Sequence, residues 1–444
     1  MKRVAIREHE RLFRRSSSSV VPEDAEHLHL DPRLYDRLKR FDQLRPNEGD
    51  RVFEWGDGTA KAQQWVGVVQ LAGLQVEILP KIDDHDAGKA DNDSVRKNLI
   101  YMLAIAGDVP LLMRDLARLA NRKAALSEVL AGIFADRLLG ELLRGPERSY
   151  VRREENLRRF KGRLLVSPHT LHNAAHRERF YCRYDEFCED TLMNRLFRAG
   201  CRFLLDVTTT PPTQDKLRHC LLVLDGVADI APSDEHFDQV AITRQNERFA
   251  DVFRFCRLIL AGRSPTVQAA GTQTFSLLYD MNRVFERFIA NFLQTRVMPK
   301  LPNMRLFIQA RQRHRHLMVS DDRGALALKP DLLIEADDGS RLVIDTKWKR
   351  LGGGKGRGGV SEADLYQMFA YTRRFGASRS VLLYPWADGV SDRDFEVLDG
   401  TGEKSGERVG VRFAQIADAP VGQTRWARLE AELRAMVSSE FGTC

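Results

Sequence analysis

Residues 329–347 constrain the fold of this chain more than any other stretch. Lys329-Pro330-Asp331 leads into the apolar run Leu332-Leu333-Ile334, and Arg341-Leu342-Val343-Ile344 leads into Asp345-Thr346-Lys347, with Asp337-Asp338-Gly339-Ser340 between them. Two short apolar runs either side of an Asp-Gly turn predict a β-hairpin. Such a hairpin folds Asp331 back beside Asp345. Residues i and i+2 of a strand share a face, so Asp345 and Lys347 project together. Thr346 points the other way, although its backbone carbonyl can face the same spot. The reading from 271 to 386 is a mixed sheet flanked by helices, with Asp331, Asp345 and Lys347 gathered in one metal shell.

Two carboxylates at one locus repel each other unless a cation sits between them. Hard oxygen donors in small number suit Mg²⁺, which keeps several waters and takes one or two carboxylates. A lysine beside such an ion can orient or deprotonate water and stabilise the charge that develops on phosphorus, which is the chemistry of metal-assisted phosphodiester hydrolysis. The segment 362–375 reads as a helix that places Gln367 and Tyr371, four apart, on one face, where they can touch substrate or the lysine. Upstream, Glu286 lies in a helical pattern and is a candidate third metal ligand; an exposed partner of a neighbouring arginine is the competing reading. Lys349, Arg350, Lys355 and Arg357 surround the glycine-rich loop 352–359, either to grip phosphates or as a solvated basic loop. Asp-x-Lys alone occurs by chance in many chains. The ordered set of helix with Glu, Pro-Asp strand, Asp-Thr-Lys strand and helix with Gln-x-x-x-Tyr does not.

The rest of the chain has room for two or three domains in its 444 residues. Lys plus Arg outnumber Asp plus Glu by 69 to 62, a mild tilt toward polyanionic partners. Six cysteines without a Cys-x-x-Cys pair read as reduced thiols. With no apolar leader at the N-terminus and no span long enough for a bilayer, the expectation is a cytoplasmic protein with no membrane partner. Residues 1–50 are polar, and Ser16–Ser19 resemble a linker. Residues 65–81 predict a hairpin about Ala72-Gly73, with Leu74, Val76 and Ile78 on one face. Helical patterns run over 96–143 (through Leu112, Leu116 and Leu119), 183–205, 246–260 and 277–297, and a strand over 380–384. No G-x-x-x-x-G-K-[ST] phosphate loop occurs, so a nucleotide-driven motor is not encoded here.

The order Pro-Asp, Asp-x-Lys, Gln-x-x-x-Tyr resembles the PD-(D/E)xK nuclease superfamily of the RecB-like type. Four stretches bring the chain closer to one family: Val66-Gly67-Val68-Val69-Gln70 through Glu77-Ile78-Leu79-Pro80-Lys81-Ile82; Phe160-Lys161-Gly162-Arg163 with Phe180-Tyr181-Cys182-Arg183-Tyr184-Asp185-Glu186-Phe187; Leu192-Met193-Asn194-Arg195; and the hairpin through Asp364-Leu365-Tyr366-Gln367-Met368-Phe369-Ala370-Tyr371. These resemble McrC, the nuclease subunit of McrBC-type modification-dependent restriction systems.

The resemblance implies a mixed α/β chain: a β-rich N-terminal domain over 1–150 that docks on an AAA+ partner, a helical middle segment over 151–265, and a restriction-endonuclease-like domain over 266–444. It implies Asp331, Asp345 and Lys347 in the catalytic places, with Gln367 and Tyr371 beside them and Mg²⁺ held by Asp331, Asp345, Thr346 and Glu286. It implies an McrB-like AAA+ GTPase that binds the GTP, double-stranded modified DNA of the 5-methylcytosine type as substrate, and room for two nuclease domains to pair within the complex. Residues before 50 extend beyond shorter McrC proteins. The alternatives are a non-cutting regulatory or scaffold subunit of the GTPase and a RecB-like repair nuclease.

Overall fold

The structure, a computed structural model, describes every residue except 16–26, 46, 85–87, 90, 112–123, 263–274, 310–314, 321–322, 353–357, 418–425 and 443–444. Ser16–Ser19, Leu112, Leu116, Leu119, Asp86, Lys355, Arg357 and Cys444 therefore lie outside the described residues. The chain forms two compact units that interleave in sequence: residues 1–126 with 277–444, and residues 127–276. The C-terminal segment thus shares one compact unit with the N-terminal one.

In the first unit, the polar N-terminus folds at once. Lys2–Arg7 is strand β1, Trp65–Leu71 is β2 and Leu74–Leu79 is β3. Helix α1, Asn92–Ala106, follows, and Phe275–Asp280 is β4. The sheet order is β1-β3-β2-β4. β1 runs parallel to β3, with Val4 opposite Val76 and Ile6 opposite Ile78. β2 and β3 pair antiparallel about Ala72-Gly73, as the turn residues predict. β3 is buried on both faces, Gln75 and Glu77 included, not on the Leu74-Val76-Ile78 face alone. Glu77 accepts both Nε and Nη2 of Arg96 (2.7 and 2.6 Å) and the backbone amide of Leu126 (2.8 Å), a charged staple from sheet to helix. Gly67 is the close-approach point between β2 and β4. It has φ +132°, and a Cβ there would sit 1.9 Å from the Leu277 carbonyl oxygen.

A second small sheet (His29–Leu30, Arg11–Arg14, Thr59–Ala62, Phe53–Trp55) packs under helix Pro32–Gln43. Its Leu12, Leu30, Leu38, Phe41 and Phe53 join Val69 and Val76 in one core. Asp42, fully buried, accepts from Val52 N, Phe53 N and Trp55 Nε1, which makes its burial tolerable. α1 starts on an Asp91 cap and stops at Gly107 in the left-handed region (φ 79°). The expected helix over 96–143 is therefore cut short, and Leu126–Leu142 is a separate helix.

Asp280 corrects the expected helix over 277–297. Its carboxylate accepts Asn282 N at 3.0 Å and so caps α2, Met281–Phe292, while 275–280 remain a strand. A π turn, Leu293–Val297, continues α2. Among the elements that follow are β5 (Met304–Ile308), β6 (Leu332–Ala336), β7 (Arg341–Thr346), α3 (Glu362–Phe375), β8 (Arg379–Pro385), β9 (Arg393–Leu398) and β10 (Lys404–Ala414). They build a six-stranded mixed sheet in the order β5-β6-β7-β8-β10-β9. β6 and β7 are the antiparallel hairpin about Asp338-Gly339, and β7 runs parallel to β8. α3 lays Met368, Tyr371 and Phe375 on Leu333, Val343 and Leu382. The mixed α/β reading holds, and β7 sits between two strands with Val343 and Ile344 fully buried.

The second unit is helical around one three-stranded antiparallel sheet, in which Phe180–Cys188 lies between Ser149–Leu157 and Arg163–Leu164. The expected helix over 183–205 is thus strand up to Cys188 and helix from Leu192 to Val207. Asn194 donates to the carbonyls of Glu147 and Glu189, both at 2.8 Å. Arg195 chelates Asp190 (2.7 and 2.6 Å), which holds that carboxyl down at about 2. Asn194 and Arg195 of the Leu-Met-Asn-Arg motif therefore fasten the start of their helix. No described helix is long and apolar enough to cross a membrane.

Candidate active site

The hairpin register places the carboxylates. Leu332 pairs with Ile344, so one step further along the ladder Asp331 stands opposite Asp345, at the spacing of direct cross-strand neighbours. Asp331 lies just before β6 and is partly buried; Asp345, inside β7, is 2% exposed. The Thr346 side chain, expected to point away from the site, instead reaches it. Its amide and its hydroxyl both donate to Asp331 Oδ2 at 2.7 Å, clamping that carboxylate against β7.

Lys347 places Nζ 2.8 Å from Asp345 Oδ2 and donates to Gln367 Oε1 at 3.0 Å. Gln367 then donates to Asp345 Oδ1 at 3.5 Å and to the Tyr371 hydroxyl at 2.8 Å. Tyr371 donates to the Lys329 carbonyl at 3.1 Å, tying α3 to the entry of β6. The Gln-x-x-x-Tyr face of α3 thus meets the strand ends: Gln367 touches the lysine and one carboxylate, and Tyr371 holds the backbone two residues before Asp331.

Glu286, on α2, accepts from Gln309 Nε2 at 3.0 Å, and the Gln309 amide donates to the Asp331 carbonyl at 2.6 Å. Gln309 is one of few non-glycine residues with positive φ (52°), a conformation that marks local constraint. Sequence reasoning missed it. It also missed Asp364, which is buried and receives Lys349 at 2.9 Å, Lys347 at 3.9 Å and the Tyr384 hydroxyl at 3.3 Å. The signal for Asp364 was present in Ser361-Glu362-Ala363-Asp364, a cap pattern in which Asp364 N donates to Ser361 Oγ at 3.1 Å.

The electrostatics follow from this crowding. Burial, then Asp345 and Glu286, raise the Asp331 carboxyl to about 7 against the pull of the Thr346 bonds. Burial raises Asp345 as well, with Asp364 and Glu286 adding to it and Lys347 opposing. Burial alone would lower the Lys347 ammonium, but Asp345, Asp364 and Asp331 outweigh it and hold the group above the ordinary lysine value. Two carboxyls short of positive charge and one firmly protonated amine share a strand end. The donor set of hard oxygens fits a small hard divalent cation. Among the described residues no group of three His, Cys, Asp or Glu side chains is preassembled as a metal cage.

Residues 60–385 match the family described as McrBC 5-methylcytosine restriction system component. Among solved structures, the chain is similar to one described as a half-complex from a tetradecameric assembly of Thermococcus gammatolerans McrB AAA+ hexamers with bound McrC. The identity is 22% and the TM-score 0.69, over 98% of this chain and 100% of that one. A second match, to the McrBC complex of the same organism, has 27% identity and a TM-score of 0.48, over 66% of this chain and 88% of that one. Comparison with curated proteins gives no match.

Proposed function

The chain belongs to the McrBC 5-methylcytosine restriction system component family, and from that premise we propose that it is the DNA-cutting subunit, an Mg²⁺-dependent endodeoxyribonuclease acting on modified double-stranded DNA. The observation that carries this reading is the convergence of Asp331, Asp345, Lys347 and Gln367 at one end of the β6-β7 hairpin. A non-cutting scaffold has no use for raised, buried carboxyls beside a lysine, which cost folding energy.

Asp331 and Asp345 would hold Mg²⁺, with water filling its remaining positions and Glu286, bonded to Gln309, nearby; when bound, the ion supplies a Lewis acid for the scissile phosphate and an activated water. The residues do the rest. Thr346 keeps Asp331 aimed by its two bonds. Gln367 fixes the Lys347 ammonium, and Tyr371 fixes Gln367. Lys347 enters the reaction protonated, so its first role is to stabilise charge building on the phosphate oxygens. The similar structure has McrC bound to McrB AAA+ hexamers, which supports an AAA+ partner; we propose that this partner is the GTPase motor, stimulated by this chain and bound through its N-terminal region. The test is cleavage of 5-methylcytosine DNA by the purified pair with GTP and Mg²⁺. Lys347→Ala should stop cutting and leave the partner's GTP hydrolysis stimulated. A pair that cuts equally well with Lys347→Ala, or cuts in the presence of EDTA, refutes the reading.

A further inference from the structure

Glu8 is buried where a carboxylate is expensive. It follows β1, is 1% exposed, and among the described residues forms no ion pair with a Lys or Arg side chain. Its amide donates to the Leu79 carbonyl at 3.0 Å. Its Oε2 accepts the Lys81 amide at 3.0 Å, and Trp348 Nε1 lies 3.1 and 3.0 Å from its two oxygens. Burial pushes its carboxyl up to about 7, against the Trp348 and Lys81 bonds. Against that burial cost the carboxyl gives the Lys81 amide and the indole N–H an acceptor each would otherwise lack, and so it fixes where the indole N–H points.

That indole belongs to the residue after Lys347. Its ring also packs on Phe285, with centroids 5.3 Å apart, and Phe285 precedes Glu286 on α2. The first strand, the Leu79-Pro80-Lys81 corner, the exit of β7 and the Glu286 helix therefore meet at one carboxylate.

We propose that Glu8 is a positioning residue of the nuclease site, holding the end of β7 and the Glu286-bearing turn of α2 in register through Trp348. The assignment rests on the nuclease reading above. The contacts it protects are short: Lys347 must stay 2.8 Å from Asp345 and 3.0 Å from Gln367. A shift of about 1 Å in such a set costs on the order of 100-fold in rate. Without the Glu8 anchor, Trp348 is free to turn and the strand end to splay.

The experiment uses the full chain with its AAA+ partner, 5-methylcytosine DNA, GTP and an Mg²⁺ titration. Trp348→Phe keeps the ring on Phe285 and deletes only the N–H. Glu8→Ala deletes the acceptor. Glu8→Gln can set its amide oxygen at the Oε2 position and keep both the Trp348 and Lys81 bonds. The expected result is a fall in kcat of about tenfold or more for Trp348→Phe and Glu8→Ala. The Mg²⁺ concentration for half-maximal cutting should rise, KM for DNA and stimulation of the partner's GTPase should hold, and Glu8→Gln should restore most of the rate. A destabilised control, Gly67→Ala, should not move the Mg²⁺ midpoint; if it does so as far as Trp348→Phe, the role is structural and the assignment falls. Wild-type kcat in both Trp348→Phe and Glu8→Ala overturns it alone. A wild-type complex that cuts nothing overturns the nuclease reading and this assignment with it.

Discussion

Glu8 makes the stability of this chain depend on pH with a sign opposite to that of a salt-bridged carboxylate. Its folded carboxyl titrates at about 7 and its unfolded one at 4.5. Between those values the folded chain keeps a proton that the unfolded chain has released, so stability is fully present below 4.5 and falls as pH rises through 7. The whole shift corresponds to about 3 kcal/mol. The groups facing Glu8 are the Lys81 ammonium, which opposes the shift, and Asp280, which adds to it. The perturbation is Glu8→Gln, which cannot ionise. The assay is guanidinium unfolding of wild type and variant in EDTA at pH 5.5, 6.5, 7.5 and 8.5. Unfolding of residues 127–276 contributes equally to both proteins and cancels in the difference. Between pH 5.5 and 7.5 wild type should lose on the order of 2 kcal/mol relative to Glu8→Gln, with no further divergence at 8.5. Parallel profiles, or a wild type that gains on the variant as pH rises, would refute the burial argument.

Four further outcomes follow from the geometry. Lys347→Ala should lower cutting by about 100-fold or more while leaving the melting temperature near wild type, measured by DNA cleavage beside calorimetry. Mg²⁺ should raise the melting temperature of wild type more at pH 8.5, above the Asp331 value of about 7, than at pH 6, and raise it less in Asp345→Asn; equal shifts in the two proteins would place the ion elsewhere. Gly67→Ala should cost on the order of 3 kcal/mol by denaturant unfolding, because the new Cβ meets the Leu277 carbonyl and the backbone angle suits only glycine. A chain cut down to residues 266–444 should fail to unfold cooperatively: it loses the sheet partners of β4, the Asp108 carboxylate paired with Arg287 at 2.6 Å, and the Ile105 carbonyl that receives Asn291 at 2.8 Å.

What could be read in advance was whatever the chain states locally. The β6-β7 hairpin is written in its Asp-Gly turn and paired apolar runs, and α3 in its Ser361 cap, apolar spacing and Gly376 stop. With those two elements the Asp331, Asp345, Lys347 and Gln367 group assembles by register and helix pitch. The misread boundaries had local causes as well. Asp280 and Gly107 act as caps inside sequences that otherwise look like unbroken helix. Strand residues 183–188 owe their form to pairing with 149–154, which no local period announces. Glu8 was out of reach for a stronger reason: its partner Trp348 lies 340 positions away. A polar N-terminal segment carries no mark that one of its acids will be buried against the residue that follows β7. Gln309 likewise shows its role only once α2 and the entry to β6 are in place.

The interleaving of the two units has a consequence for how the protein is made. β1, β2 and β3 leave the ribosome first, yet β4, the strand beside β2, is separated from β2 by the whole of residues 127–276. The helical insert can therefore finish folding while the unit that flanks it still waits with an open sheet edge. Pairing at such sequence separation is slow, because a long loop must close before any contact rewards it. Every residue of the proposed cutting site arrives after that wait, and Glu8 has been waiting longest. A translation product that stops early contains the first strand and no site, and a late-initiated one contains the site and no Glu8. For the proposed DNA-cutting subunit, this order of synthesis means that a chain that stops early carries none of the cutting site.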